Sequence, residues 1–139
     1  MKNGDKLRIS SQTHYGLQAS IILAKSYPET VSASELEKII GVSSKYLERV
    51  MRSLSCAGLV VASRGASGGY ALSRKPEEIT AGEVIRALEN ELKIVGCVDA
   101  PCKKRCESLF VWRRLYEGIN EILDSITLND AMNGITEKK

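Results

Sequence analysis

The sequence predicts a mostly α-helical fold in which a helix-turn-helix is followed by a small β-hairpin and later by a long C-terminal helix. Three observations support this prediction. Gly41 separates two short segments whose apolar residues have helical spacing. The stretch RGASGG, residues 64–69, joins two apolar runs of strand length. Between Trp112 and Ile126, apolar residues recur at steps of three and four.

The composition is typical of one soluble globular domain. The chain has 139 residues, of which 43% are hydrophobic and 27% are charged. No apolar run approaches the ~20 residues that a membrane span needs, and the N-terminus MKNGDKLRIS lacks the apolar centre of a secretory signal. We therefore expect a cytoplasmic protein with no membrane partner, whose cysteines stay reduced.

The first part of the chain is predicted to form two helices. The first runs from about Ser11 to Ser26, and Pro28 closes it. The second is short and ends at Gly41. Two candidate capping boxes stand at its start, Ser32 with Glu35 and Ser34 with Glu37. Its predicted inner residues are Leu36, Ile39 and Ile40.

A third helix completes the helix-turn-helix. Ser43 is its predicted N-cap, Gly58 its end, and Cys56 is expected to be buried near that end. The predicted inner residues are Leu47, Val50, Met51 and Leu54. The predicted outward residues are Ser43, Ser44, Lys45, Glu48, Arg49 and Arg52. Such helix pairs also occur in protein cores, so the motif alone leaves DNA binding and plain packing open.

The next segment predicts a hairpin with Leu59–Ala62 and Tyr70–Leu72 as strands and Arg64 at its tip. A hairpin directly after a helix-turn-helix makes a winged helix. Its recognition helix would enter the major groove, and Arg64 would meet the DNA backbone or minor groove. Residues 43–75 carry six cations and one acid, Glu48, a net charge of +5. An ordinary surface hairpin, and a Glu48–Arg52 pair along the helix, are the plain alternatives.

The second half of the chain predicts two more helices. A capping box, Thr80 with Glu83, begins the first, with Val84, Ile85 and Leu88 inside. The last helix carries a seam of a/d type, formed by Trp112, Leu115, Ile119, Ile122 and Ile126 and widened by Tyr116 and Leu123. So broad an apolar face predicts a homodimer, and two-fold dimers bind palindromic DNA sites. The alternative is a long helix packed on its own domain.

Three cysteines, Cys97, Cys102 and Cys106, lie within ten residues, together with Pro101 and a Lys-Lys-Arg run. These surroundings indicate an exposed loop in which the cations favour the thiolate form. The C-x4-C and C-x3-C spacings match neither a zinc knuckle nor a ferredoxin run. Iron–sulfur ligation, zinc binding and redox sensing all remain open from the residues alone.

The stretch GVSSKYLERVMRSLSCAGLVVASRGASGGYALSR, followed by ITAGEVIRALE and three cysteines, resembles the IscR/NsrR family of bacterial winged-helix transcription regulators. LRISSQTHYGLQAS and VWRRLYEGINEILDSITLND match too, so the resemblance runs from about Leu7 to Met132. It implies a homodimer on double-stranded palindromic operator DNA. By position it implies DNA contacts from Ser43, Lys45, Tyr46, Glu48, Arg49 and, in the wing, Arg64.

The resemblance also implies an iron–sulfur cluster on the three cysteines, with [2Fe–2S] favoured over [4Fe–4S]. Their spacing is tighter than the family's. Part of the family places a histidine three residues after the last cysteine, where this chain has Leu109. Other members use an acidic residue near the N-terminus of the opposite subunit, where this chain has His14. His14 is therefore a candidate metal ligand, with a surface or phosphate-contacting role as the alternative.

We expect one structural domain with three regions. Residues 1–91 form the winged-helix DNA-binding region, 92–107 the cluster-binding cysteine segment, and 108–139 the dimerisation helix and tail. The predicted function is transcription regulation that senses cluster, redox or iron status. The alternative is a cluster-free winged-helix repressor whose cysteines bind zinc or act as thiol sensors. The chain has no C-x-x-C motif and no defensible catalytic constellation, so we do not expect an enzyme.

Overall fold

The structure is a computed structural model that describes residues 9–66, 68–89 and 107–134. The elements in these ranges are α1 (Ser11–Ser26), α2 (Ala33–Ile40), α3 (Ser44–Cys56), β1 (Val60–Ser63), β2 (Gly69–Leu72), α4 (Ala81–Leu88), α5 (Leu109–Ser125) and α6 (Leu128–Gly134). A short 3-10 turn, Pro76–Glu78, precedes α4. None of the helices in the described ranges is long and apolar enough to cross a membrane.

Hydroxyl side chains begin several helices, because they accept a hydrogen bond from a backbone N–H that has no partner in the first turn. Ser32 Oγ accepts from the N–H of Glu35 at 3.1 Å. Thr80 and Glu83 form the predicted reciprocal capping box. The second candidate box of α2 is wrong, since Ser34 lies inside that helix and not before it.

The turn between α2 and α3 depends on Gly41, whose φ of 82° lies in the left-handed region. Its N–H donates to the carbonyl oxygen of Glu37 at 2.7 Å and so ends α2. Two residues later Ser43 starts α3. This tight reversal fixes α3 relative to α2, as in other helix-turn-helix units.

The wing is an antiparallel hairpin in which Val60 lies opposite Leu72 and Ser63 opposite Gly69. Val31 adds a bridge to β2, exchanging two backbone hydrogen bonds with Tyr70, at 2.8 and 2.9 Å. A Cβ at position 69 would collide with the carbonyl oxygen of Val31, so this approach requires glycine. The predicted strands are confirmed to within one residue at each end.

The core forms around α1 and α3. The four predicted inner residues of α3 are all buried, as are Ala19 and Leu23 of α1. Removing their apolar side chains from water stabilises the fold by roughly 1.5–3 kcal/mol for each large residue. One inner residue is predicted wrongly, because Ile39 is 57% exposed. The two-turn helix α2 reaches the core through Leu36 instead.

The C-terminal part of the chain forms two helices, α5 and α6, and not the one long helix that the sequence predicts. Helix α5 ends at Ser125, Thr127 pairs with Thr80, and α6 returns Leu128 fully to the core. Helix α5 is held on α4 by Arg86, whose guanidinium donates to Asp124 at 2.8 Å and to Asn120 at 2.9 Å. None of its residues is fully buried in the described structure.

Candidate nucleic-acid interface

The N-terminus of α3 is preorganised by its own cap. Ser43 Oγ accepts a hydrogen bond from the N–H of Tyr46 at 3.2 Å. The helix starts with no acidic residue in its first turn, so its partial positive end is not neutralised locally. A helix end of this kind suits an anionic partner such as a phosphate.

Most of the predicted contact residues line one open depression of about 470 Å³ on the outer side of α3. Its lining residues are Ser43, Lys45, Tyr46, Glu48, Arg49 and Arg52. Ser44 is also exposed but faces a smaller hollow next to α2 and Tyr70. The structure therefore brings six of the seven helix residues together and places Ser44 at their margin.

Ion pairs divide the cations of this region into two groups. Arg52 pairs with Glu48 at 3.8 Å, the plain alternative that the sequence offered, and both side chains are well exposed. Such a surface pair contributes little stability. Arg74 pairs with Glu83 at 3.2 Å and so is directed toward α4. Among the described residues, no ion pair engages Lys45 or Arg49.

Arg64 is exposed at the end of β1, where the hairpin tip begins. No described acidic side chain forms an ion pair with it. The wing therefore presents a cation beside the helix-turn-helix, as the sequence predicts. Whether it contacts DNA stays a prediction.

Tyr46 links α3 to α1. Its ring lies edge-on to the ring of Tyr15, with 5.8 Å between centroids and an interplanar angle of 88°. The ring of His14 lies 5.4 Å from that of Tyr15 and is exposed. Tyr15 thus contacts both the candidate ligand His14 and Tyr46, which lines the depression on α3.

Glu89 has a structural role that the sequence did not indicate. One carboxylate oxygen, Oε2, accepts hydrogen bonds from the backbone N–H of Ser10 and from Thr13 Oγ1, both at 2.7 Å. Burial raises the pKa of Glu89, but these hydrogen bonds outweigh it and leave the pKa below the ordinary value of 4.5. The carboxylate therefore ties the residue after α4 to the first turn of α1.

The cysteines fall into two groups. Cys97, Cys102 and Cys106 lie outside the described residues, so their role as metal ligands stays a prediction. The prediction that Cys56 is buried is wrong, because Cys56 is exposed. The reason is helical periodicity, since a residue two positions after the buried Leu54 points about 200° away from it.

A model of the Rrf2 family, described as an iron-dependent transcriptional regulator, matches residues 9–134. The chain belongs to the Rrf2 family. One Rrf2-type relative is the HTH-type transcriptional regulator CymR of Bacillus subtilis strain 168. It is 38% identical over 127 residues, which cover 89% of this chain and 88% of the relative. The predicted resemblance is thereby confirmed.

Solved structures of Rrf2-type regulators share the fold. The structure of CymR, the global cysteine regulator of B. subtilis, has a TM-score of 0.81 and 36% identity, covering 91% of this chain and 97% of that one. T. potens IscR has a TM-score of 0.78 and 34% identity, covering 96% and 93%. The winged-helix prediction is confirmed. These Rrf2 relatives are regulators of transcription and not enzymes, as the sequence predicted for this chain.

Proposed function

We propose that this chain is a cytoplasmic homodimer that regulates transcription by binding double-stranded, palindromic operator DNA. The observation that carries the proposal is the outer surface of α3. There, a capped helix N-terminus with no acid in its first turn lies beside Lys45 and Arg49, two cations without an ion pair among the described residues. Membership of a family of transcription regulators supports the same conclusion.

The chemistry of each side chain on this surface suits a particular kind of DNA contact. Helix α3 enters the major groove, where Arg49 suits two hydrogen bonds to guanine O6 and N7. Lys45 and the hydroxyls of Ser43 and Ser44 suit phosphate oxygens. Tyr46, half-buried next to Tyr15, also lines the depression, and its phenol suits a hydrogen bond to DNA.

Glu48 and Arg52 act together in this proposal. A carboxylate near phosphates is unfavourable unless it accepts from a base, and cytosine N4 is the amino group that suits it. Arg52, 3.8 Å from Glu48, offsets the negative charge. Arg64 on the wing contacts the backbone or a narrow minor groove.

The dimer is proposed to form through α5. Val111, Leu115 and Ile122 are 56%, 46% and 60% exposed, and their spacing puts them on one side of the helix. Val111 lies outside the predicted seam, and the seam residues other than Leu115 and Ile122, such as Trp112 and Ile119, are half-buried. The exposed face therefore shares Leu115 and Ile122 with the predicted seam, and a second copy of α5 would cover it.

We propose that the regulator senses its signal through an iron–sulfur cluster held by Cys97, Cys102, Cys106 and His14. Thiolate and imidazole are both ligands that iron–sulfur clusters accept. The exposed position of His14 on α1 supports its availability. When bound, the cluster supplies a group that reacts with oxidants and is lost when iron is scarce. The three cysteines and His14 would hold the cluster, and because His14 lies on α1, binding of the cluster would involve that helix.

A cluster-free regulator is the second candidate, and the similarity to CymR favours it. That relative is called a global cysteine regulator in the description of its structure. In this alternative the three cysteines act as thiol sensors or bind zinc. The colour of anaerobically purified protein separates the candidates. A brown solution with charge-transfer bands supports the cluster, and a colourless one with zinc or no metal supports the alternative.

Selection of DNA from a random duplex library by the full-length chain tests the proposed function. The proposal predicts enrichment of palindromic sites, with half-sites spaced by about one helical turn or a multiple of it, near 34–36 Å. Failure of the properly folded dimer to enrich any sequence would contradict it.

A further inference from the structure

One carboxylate connects two parts of the chain that are far apart in sequence. Glu89 is the C-cap of α4, and its N–H donates to the carbonyl oxygen of Ile85 at 2.7 Å. Its side-chain Oε2 accepts from Ser10 N and Thr13 Oγ1, 79 and 76 residues earlier in the chain. The end of α4 is therefore joined directly to the start of α1.

The first turn of α1 depends on this carboxylate. Ser10 is the N-cap of α1, and its Oγ lies 3.2 Å from the N–H and 3.1 Å from the Oγ1 of Thr13. Thr13 is only 1% exposed, so water cannot replace a lost partner of its hydroxyl. A negative charge at a helix N-terminus also stabilises the turn through the helix dipole. Without Glu89, this turn is expected to fray.

The first turn of α1 is connected to the outer surface of α3, which is proposed to contact DNA. Tyr15 follows Thr13 by two residues, and its ring packs edge-on against Tyr46. The backbone N–H of Tyr46 is the group that Ser43 caps at the start of α3. Glu89 is thus connected to the N-terminus of α3 in three steps: its hydrogen bond to Thr13, the α1 backbone from Thr13 to Tyr15, and the ring contact of Tyr15 with Tyr46.

We propose that Glu89 is a positioning residue for DNA binding. Its carboxylate fixes the start of α1, and α1 in turn fixes Tyr46 and the N-terminal end of α3 through Tyr15. This inference rests on the proposed function and adds its route of regulation. The predicted cysteine segment, residues 92–107, begins three residues after Glu89 in the sequence. A change at those cysteines that displaces Glu89 would therefore alter DNA affinity without touching the DNA surface.

Four variants of the full-length, reduced chain test this role. Glu89→Ala removes the acceptor, whereas Glu89→Gln keeps an oxygen that can accept from both donors. Thr13→Val removes one donor at nearly constant volume. Asp130→Ala is the matched control, since the Asp130 carboxylate accepts from Thr127 N at 3.1 Å at the start of α6. The probe is a labelled duplex that the wild-type chain enriches from a random library.

The proposal predicts that Glu89→Ala weakens binding to this duplex about fivefold, a typical coupling between sites, and that Thr13→Val weakens it less. Glu89→Gln should stay within about twofold of wild type, and Asp130→Ala should be unchanged. Hydrogen exchange should quicken at the amides of the first turn of α1 in Glu89→Ala and not in Asp130→Ala. Faster exchange confined to the first turn of α1 distinguishes positioning from a general loss of stability, which would quicken exchange in the core as well.

A double-mutant cycle with Tyr15→Leu tests the route. If Glu89 acts through Tyr15, the losses from Glu89→Ala and Tyr15→Leu are not additive. Unchanged affinity in both Glu89→Ala and Thr13→Val, or full additivity with Tyr15→Leu, overturns the inference while wild-type binding stands. A wild-type chain that enriches no duplex overturns the proposed function, and the inference with it.

Discussion

The ring of Tyr46 on α3 is nearly perpendicular to the ring of Tyr15 on α1, with 5.8 Å between the ring centroids. This geometry is one of the two favoured for aromatic pairs, worth about 0.5–1.5 kcal/mol beyond burial. It joins the helix proposed to read DNA to the helix that carries His14. The same contact therefore connects the proposed sensing residue with the proposed reading surface.

If His14 is the fourth cluster ligand, His14→Ala should leave the fold and the cluster-free dimer unchanged. The visible spectrum of anaerobically purified protein should shift, and the cluster should be lost faster, because one ligand is missing. Gln18→Ala, also exposed and four residues further along α1, is the matched control. Identical spectra and lifetimes in wild type and His14→Ala would remove His14 from the ligand set.

The exposed face of α5 predicts the effect of a charge in the dimer interface. Ile122→Asp should give a monomer in sedimentation experiments, because an unpaired buried charge costs ~3–5 kcal/mol. Ile39→Asp is a close control, since Ile39 and Ile122 are 57% and 60% exposed on different helices. The proposed interface is wrong if Ile122→Asp stays dimeric, or if Ile39→Asp dissociates equally.

Arg64 on the wing should contribute affinity without sequence preference. Arg64→Ala should weaken binding to all duplexes and reduce the slope of log affinity against log salt by about 1, since one phosphate contact is lost. Arg113→Ala removes the same charge from the exposed surface of α5 and should leave the slope unchanged. Equal slopes in Arg64→Ala and wild type would exclude a phosphate contact at the wing.

The lowered pKa of Glu89 predicts a pH dependence of stability. A carboxyl whose pKa is lower in the folded chain stabilises the fold above the unfolded pKa, near 4.5. That contribution is lost as the pH falls through the folded pKa. The free energy of unfolding of wild type should therefore exceed that of Glu89→Ala at neutral pH, and the two should converge in acid. A constant difference between them across this range would show that ionisation of Glu89 contributes nothing.

Local features of the fold were predictable from the sequence. The Ser43 cap, the buried face of α3 and the Thr80–Glu83 box depend on residues three or four positions apart, so their spacing is enough to identify them. The wing was predictable for the same reason, because its glycine-rich tip lies between two short apolar runs.

Other features depend on contacts between residues far apart in the sequence, which the local spacing of residue types does not reveal. Glu89 meets Ser10 across 79 residues, and Arg86 meets Asp124 across 38. The exposure of Cys56 follows from its position on the outer side of α3 and not from its apolar character. The half-burial of Trp112 and Ile119 on α5 likewise comes from packing within the chain, and the dimer seam stays a prediction.

The most direct test of the account compares two arginines of α3. Arg49 has no ion pair among the described residues, whereas Arg52, one turn later, pairs with Glu48. The measurement is the affinity of Arg49→Ala and of Arg52→Ala for the enriched duplex and for duplexes with single base changes. Arg49→Ala should lose ~1–3 kcal/mol and tolerate substitution at one guanine, while Arg52→Ala changes less. Wild-type affinity and wild-type base preference in Arg49→Ala would contradict the claim that this helix reads DNA.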